Sequence, residues 1–407
     1  MNHMYRIESG MMSNVLMITP YLPYPPVSGG RMRTYSLVKR LAQQYQITLV
    51  CFGRPEERQF DLSPMREFCE LIIVERDPSP STAQAALMTL TSVKPITMRL
   101  YGTVAMRQTL ARLLQERQFD VIHVESFYML QNLPQNHGLP ILLSEPAIEY
   151  VAWWRHARVA EPIYQRPGIA LEALKMRMFE PRVWRKADII GVMSKVDEAI
   201  VQRFGCKTAL APNGVDVEYF HPAEAPRDPA TAIFMGDYKY FPNTDAVLYF
   251  IEEIMPLIRA KRPDFQLILL GKDPVPALVA LGKDPSSGVI VKGLVDDTRP
   301  YLHQATMFVC PLRSGSGTRF KLLEALACGL PVVSTTIGAE GLNAQHERHM
   351  LLADTPQTFA EAVLRLIEAP NFAAKLGAEG RAWVVAHHAW EHSATLISET
   401  YQRLMGG

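Results

Sequence analysis

Cysteine is scarce in this 407-residue chain, with Cys51, Cys69, Cys206, Cys310 and Cys328 odd in number and scattered. No Cys-x-x-Cys pair or Cys/His ligand spacing occurs, so neither a disulfide framework nor a zinc site organises the fold. Free thiols fit a reducing compartment, and the expected location is the cytoplasm. No apolar run approaches the roughly 18–20 residues that span a bilayer. Residues 1–13 lack a signal-peptide core and are expected to be a disordered extension. Charge of one sign is also missing. A formal net charge of +1 argues against a dedicated nucleic-acid binder.

What the chain does have is a 48% hydrophobic composition, enough to bury a large core and to divide into about two domains. Val15–Thr19 is a short apolar run bounded by turn formers, the pattern of a buried parallel strand. Strand-like runs recur at 46–52, 71–75, 121–124, 140–143, 188–193 and 208–211. A second set follows at 232–236, 265–271, 289–293, 307–310, 332–335 and 350–353. Helical patterns separate most of them, which predicts an α/β fold of two doubly wound, Rossmann-like units. The expected division is 14–211, a linker at 212–230, and 231–387. A last helix at 388–407 is expected to return toward the first unit.

The stretch Pro311–Ser334 carries the strongest local signal. A strand ends at Pro311, a loop with Gly315, Ser316, Gly317 and Thr318 follows, and a helix runs to about Cys328. Unpaired N–H groups at a helix start make such a loop a natural phosphate site. Glu324 lies one turn beyond Lys321, off the face formed by Leu322, Leu323 and Leu326. The alternative is an ordinary loop before a helix with a solvated Lys–Glu pair. Gly29-Gly30 joins the first strand to the first helix without forming a GxGxxG fingerprint, and a plain turn is the competing interpretation. His123 sits inside the strand 121–124, with Glu125 at its carboxyl end. A hydrogen-bonded core histidine is the bland alternative there.

Basic residues are unevenly placed. Residues 1–205 carry 24 Lys/Arg against 19 Asp/Glu, and the remainder 18 against 22. Segments 87–117 and 153–186 mix apolar, aromatic and basic side chains, a composition suited either to an anionic membrane surface or to a solvated face.

The two units, the Gly-Gly loop, Pro212-Asn-Gly-Val-Asp216 and the block Gly317-Thr-Arg-Phe-Lys-Leu-Leu-Glu-Ala-Leu-Ala-Cys-Gly-Leu-Pro-Val-Val333 together resemble the GT-B glycosyltransferases of family 4. The resemblance runs from Asn14 through nearly the whole chain. It implies a nucleotide-sugar donor, UDP- or GDP-linked, on the second domain, and a glycan or glycolipid acceptor against the first. It also implies a retaining hexosyl transfer with no metal and no further cofactor. Carried across, Glu324 holds the ribose hydroxyls, Gly317 and Thr318 meet the diphosphate, and Gly271 and Gly293 accommodate the base. Gly29 and Gly30 close over the phosphates.

Two departures stand out. Ser316 replaces the earlier of the family's two glutamates. The segment Gly236–Asn243 lacks the usual Arg and Lys. Arg319 and Lys321 are therefore the expected catalytic cations for the leaving diphosphate. His123 is a second catalytic candidate, with Glu125 on the acceptor side where the family often has histidine. A sugar-nucleotide epimerase and a non-enzymatic scaffold of the glycan machinery are the alternatives.

Overall fold

The computed structural model describes residues 12–406 apart from 77, 79, 160–162, 225, 226 and 316. Seven strands form the first sheet: β1 (Ser13–Thr19), β2 (Tyr45–Gly53), β3 (Glu70–Glu75), β4 (Val121–Glu125), β5 (Ile141–Glu145), β6 (Ile189–Val192) and β7 (Thr208–Leu210). Their order is β3-β2-β1-β4-β5-β6-β7, all parallel, with Val15 between Ile47 and Val121. The second sheet contains β8 (Thr231–Met235), β9 (Gln266–Leu270), β10 (Val289–Gly293), β11 (Met307–Cys310), β12 (Val332–Ser334) and β13 (Leu351–Leu352). Its order is β10-β9-β8-β11-β12-β13. Central strands such as Leu-Met-Ile in β1 and Leu-Ile-Leu-Leu in β9 are covered by helices on both faces, which is why they read as unbroken apolar runs.

The strand order reverses beside β1 in one sheet and beside β8 in the other. A crevice therefore opens outside the carboxyl ends of β1/β4 and of β8/β11. The first helix, α1 (Gly29–Leu41), leaves the end of β1 and presents its first turn to that crevice. One correction concerns the amino terminus. Ser13 already pairs with Tyr45 in β1, so order begins before Asn14, and residues 1–11 lie outside the described residues. The helical segment between β8 and β9 is not one regular α-helix. It runs as Phe241–Tyr249, a wide π turn at Phe250–Ile254, and Met255–Arg259. Pro256 has no N–H to donate, so the regular ladder widens before it.

The chain crosses between the halves twice, and the crossings lie together. Helix Pro370–His388 packs in the second half, against helix Phe320–Ala327. Helix Trp390–Met405 then packs on the first half, where Trp390, Ile397 and Tyr401 share a core with Val15, Met17, Leu37 and Leu49. The outgoing linker meets this return directly, since Val215 N–H donates to the His388 carbonyl at 2.7 Å. A Cβ on Gly214 would stand 2.8 Å from the Trp390 ring, so only glycine allows the approach. Arg33 of α1 is buried at the same place, donating Nη1 to the Ala211 carbonyl and to Asn213 Oδ1, each at 3.0 Å.

Candidate functional site

The Gly-rich loop after β11 turns through Gly315 (φ +114°) and Gly317 (φ +78°), conformations that L side chains rarely adopt. It ends at Arg319, the N-cap of the helix Phe320–Ala327. The Arg319 side chain is buried and folds back over the loop, donating Nη1 to the Gly317 carbonyl at 2.9 Å. Thr318 is half-buried beside it, and Ser316 lies outside the described residues.

Lys321, on the first turn of the helix, reaches the carboxyl end of β8. Its Nζ donates to Asn243 Oδ1 at 2.7 Å and stands 4.2 Å from the centroid of the Phe234 ring. A Cβ on Gly236 would be 3.1 Å from the same nitrogen, so the bare backbone there makes room for the ammonium. Lys321 thus brings a cation to the segment just after β8, where this sequence lacks the family's Arg and Lys. Burial pulls its ammonium down to about 8, and Arg319 adds to the effect. Glu324 follows one turn later, half-buried. Burial pushes its carboxyl up to about 7, with Lys321 opposing the rise.

The glycines expected at the donor site lie at the ends of neighbouring strands. Gly271 follows β9 with φ +132°, and a Cβ there would stand 1.7 Å from the Gly236 carbonyl oxygen. Its N–H donates to the carbonyl of Gly293, which ends β10 at φ +73° and has open space where a Cβ would be. Gly29 and Gly30 face across the crevice. A Cβ on Gly29 would stand 2.8 Å from the Phe320 ring, and one on Gly30 would stand 2.2 Å from the Tyr21 hydroxyl. The loop at the start of α1 is therefore pressed between its own domain and the helix that carries Lys321 and Glu324.

His123 and Glu125 are not cleft residues, which corrects both expectations. Two apart on β4, they share a face of the strand, and both are fully buried. His123 makes hydrogen bonds through Nδ1 with the Tyr401 hydroxyl at 2.6 Å and through Nε2 with Ser144 Oγ at 2.7 Å. Both ring nitrogens are thus committed to the core. The Glu125 carboxylate lies 3.4 Å from His123 Nε2 and 3.9 Å from Arg33 Nε. Burial works to raise its pKa, but His123 and Arg33 outweigh that and hold it below the usual carboxylate value. Ser126, next in the chain, takes φ +72° although it is not glycine. Backbone strain of that kind gathers at functional sites.

Other residues enter the site that sequence patterns did not single out. Asn243 is the partner of Lys321. Arg155, on helix Glu149–Val159 of the first domain, crosses to the second and forms a two-pronged ion pair with Glu340, with Nη2 to Oε1 at 2.8 Å. Arg33 offered a usable signal, because it stands in line with Leu37 and Leu41 on the buried face of α1. Arg155 and Glu340, far apart in sequence, offered none.

Many of the basic residues in the two clustered segments are spent internally. Lys175 is buried against Glu172 at 2.8 Å. Arg177 lies over the Phe204 ring, and Arg117 pairs with Glu70. Lys94, Arg99, Arg107, Arg112, Arg158, Arg182, Arg185 and Lys186 stay exposed, as do Leu87, Leu90, Val93, Leu174 and Met178. No helix of the described residues is long and apolar enough to cross a membrane. Among those residues no group of three His, Cys, Asp or Glu side chains is placed to hold a metal ion.

Residues 27–219 match the family model of Glycosyltransferase Family 4, and residues 229–369 match that of Glycosyl transferases group 1. The chain belongs to the family 4, group 1 glycosyltransferases. An uncharacterised 44.6 kDa protein from the cps region of Klebsiella pneumoniae is 19% identical over 87% of this chain and 90% of its own length. Phosphatidyl-myo-inositol mannosyltransferase of Mycobacterium leprae is 25% identical over 75% of this chain and 79% of its own. Sucrose-phosphate synthase of Thermosynechococcus elongatus superposes with a TM-score of 0.71 at 19% identity, covering 97% of this chain and 99% of that one. The two facing parallel sheets of this family 4 glycosyltransferase are the GT-B fold.

Proposed function

We propose that this glycosyltransferase moves a hexosyl group, with retention and without a metal, from a UDP- or GDP-linked sugar to a hydroxyl of a glycan or glycolipid acceptor. The reading rests chiefly on one convergence. The Gly-rich loop, the Arg319 and Lys321 cations and the Glu324 carboxylate meet at the switch-point end of the second sheet, under the Gly29 lip. In the proposed step the bond from the sugar's anomeric carbon to the diphosphate breaks as the acceptor oxygen bonds to that carbon. The acceptor's proton passes to the leaving phosphate oxygen. Lys321 and Arg319 stabilise the charge that develops on the diphosphate, and a low-dielectric wall strengthens that effect. Glu324 orients the ribose through its hydroxyls. The order in which the domains bring donor and acceptor together supplies the alignment.

A place in cell-surface polysaccharide synthesis is supported by the relative from a cps region. The acceptor side fits the inner face of a cell membrane, because helix Thr82–Thr91, which exposes Leu87 and Leu90, packs on helix Arg166–Trp184, which exposes Arg182 together with Leu174 and Met178. The test is a screen of nucleotide-sugars with release of nucleoside diphosphate read by mass spectrometry. Acceptor-dependent release of UDP or GDP is the expected result. Conversion of the sugar with the nucleotide still attached would indicate an epimerase. Failure of UDP and GDP compounds to shift thermal unfolding would point to a scaffold.

A further inference from the structure

The two halves of the crevice are tied at a point that the transfer chemistry does not by itself call for. Arg155 stands on helix Glu149–Val159 of the first domain, whose first N–H groups are held by Glu180. The Glu180 carboxylate accepts from Glu149 N–H and Tyr150 N–H, each at 2.9 Å. From this anchored helix the Arg155 guanidinium spans the crevice. It grips both oxygens of Glu340 and also donates Nη1 to the Gly315 carbonyl at 3.3 Å. Planar two-pronged pairing fixes direction as well as distance. The partner is equally braced. Glu340 belongs to the turn after β12, where Thr335 Oγ1 bonds the Leu312 carbonyl at the root of the Gly-rich loop. Gly338 N–H donates to Thr335 Oγ1 at 2.9 Å, and a Cβ on Gly338 would stand 2.4 Å from Ser334 Oγ. At Gly341, the residue after Glu340, the Cβ position lies 3.5 Å from the Ser194 Cβ of the first domain and 3.9 Å from Thr318 Oγ1 of the loop.

Two guanidinium groups thus hold the loop from opposite domains. Arg319 takes the Gly317 carbonyl from within the second domain, and Arg155 takes the Gly315 carbonyl from the first. Of these two contacts, only the one to Gly315 comes from the first domain and so depends on the domains being joined at Glu340. Asp197, at the start of helix Lys195–Gln202, stands beside the pair and hydrogen-bonds Ser194 Oγ at 2.7 Å, which leaves Arg155 to Glu340.

We propose that Arg155 is a positioning residue for sugar transfer, one that through Glu340 and the Gly315 carbonyl locks the Gly-rich loop in its reactive shape when the domains close. The inference rests on the glycosyltransferase reading above. It separates two properties that a merely structural residue would move together. Donor nucleotide contacts the second domain, whereas alignment for transfer depends on both.

The experiment compares Arg155→Ala, Arg155→Lys, Glu340→Ala and the Arg155→Ala/Glu340→Ala double variant in the full chain, with thermal unfolding confirming the fold of each. In Arg155→Ala, kcat is expected to fall at least about tenfold while the UDP or GDP dissociation constant stays within about twofold. The double variant should be no worse than either single one, since the pair acts as a unit. Lysine, a point charge without the planar fork, should restore only part of the loss. Additive losses, or unchanged kcat in Arg155→Ala, overturn the proposal. A spin-label distance between the domains gives an independent readout. Wild type should hold the short distance with nucleotide bound, and Arg155→Ala should broaden it. An unbroadened distance also overturns the proposal. If wild type turns over no nucleotide-sugar, the glycosyltransferase reading fails, yet the distance measurement still decides whether Arg155 joins the domains.

Discussion

Replacing Lys321 with arginine is expected to remove the alkaline limb of the pH–rate profile. Burial brings the Lys321 ammonium down to about 8 from 10.5. In the free enzyme about half of it is then uncharged at that pH, and about nine tenths one pH unit higher. The donor diphosphate, esterified at both ends, has no proton to lose in this range. If the charge on Lys321 is needed at the leaving diphosphate, kcat/KM falls about tenfold per pH unit above that point. On the acid side Glu324, pushed up to about 7, holds the ribose hydroxyls most strongly when ionised, because protonation removes its charge and turns one acceptor oxygen into a donor. The kcat/KM profile should therefore be a bell, highest between these two values. Bound donor places negative charge beside Lys321 and favours its protonated form, so the alkaline limb of kcat should lie at higher pH than that of kcat/KM. Arginine keeps its charge past pH of about 12. Lys321→Arg should show a flat alkaline side, from a maximum reduced by about tenfold because the fork does not match the Asn243 contact. Initial rates of nucleoside diphosphate release across the pH range make the measurement. An unchanged alkaline limb in Lys321→Arg, or a wild-type kcat/KM that stays flat well above pH of about 8, would refute the reasoning.

Glu324→Gln should weaken nucleotide affinity by about tenfold without changing the unfolding temperature, as followed by calorimetry. Unaltered affinity would leave Glu324 as part of the wall only. Gly271→Ala should cost at least about 3 kcal/mol, because strain at positive φ adds to a clash with the Gly236 carbonyl. Gly293→Ala, with open space around it, should cost about 1 kcal/mol. Equal denaturation midpoints for the two would contradict the packing account. The surface formed by the apolar side chains of helix Thr82–Thr91 and the basic and apolar side chains of helix Arg166–Trp184 should bind anionic vesicles at low salt and release them at high salt. No co-sedimentation at low salt would reject it.

The thirteen strands of the described residues all coincide with apolar runs, and the central ones are plainest because parallel strands covered on both faces have almost no polar interruption, whereas the edge strand Glu70–Glu75 is largely exposed. Helices were less evenly legible. Thr82–Thr91 begins with a Ser81–Gln84 capping box, a local signal that its weak apolar periodicity hid. Glu149–Val159 has a remote cap, since Glu180 reaches its first turn from another helix about 30 residues along the chain. No window of sequence contains both partners. At the site, the Gly-rich loop, Arg319, Lys321 and Glu324 stood out because their chemistry lies within the ten consecutive residues Gly315 to Glu324. The roles of Asn243, Arg155 and Glu340 arise only when segments some 80 to 185 residues apart meet. His123 misled for a related reason. A histidine near a strand end has the same sequence pattern whether it opens to a crevice or bonds Tyr401, and Tyr401 is 278 residues away.

Single-turnover nucleoside diphosphate release by Arg319→Ala and Lys321→Ala, beside wild type, tests the central claim most directly. Each variant is expected to lose at least about tenfold in rate, equivalent to about 1.4 kcal/mol of barrier. Wild-type rates in both would show that the transfer step draws no stabilisation from these cations, and would contradict the account.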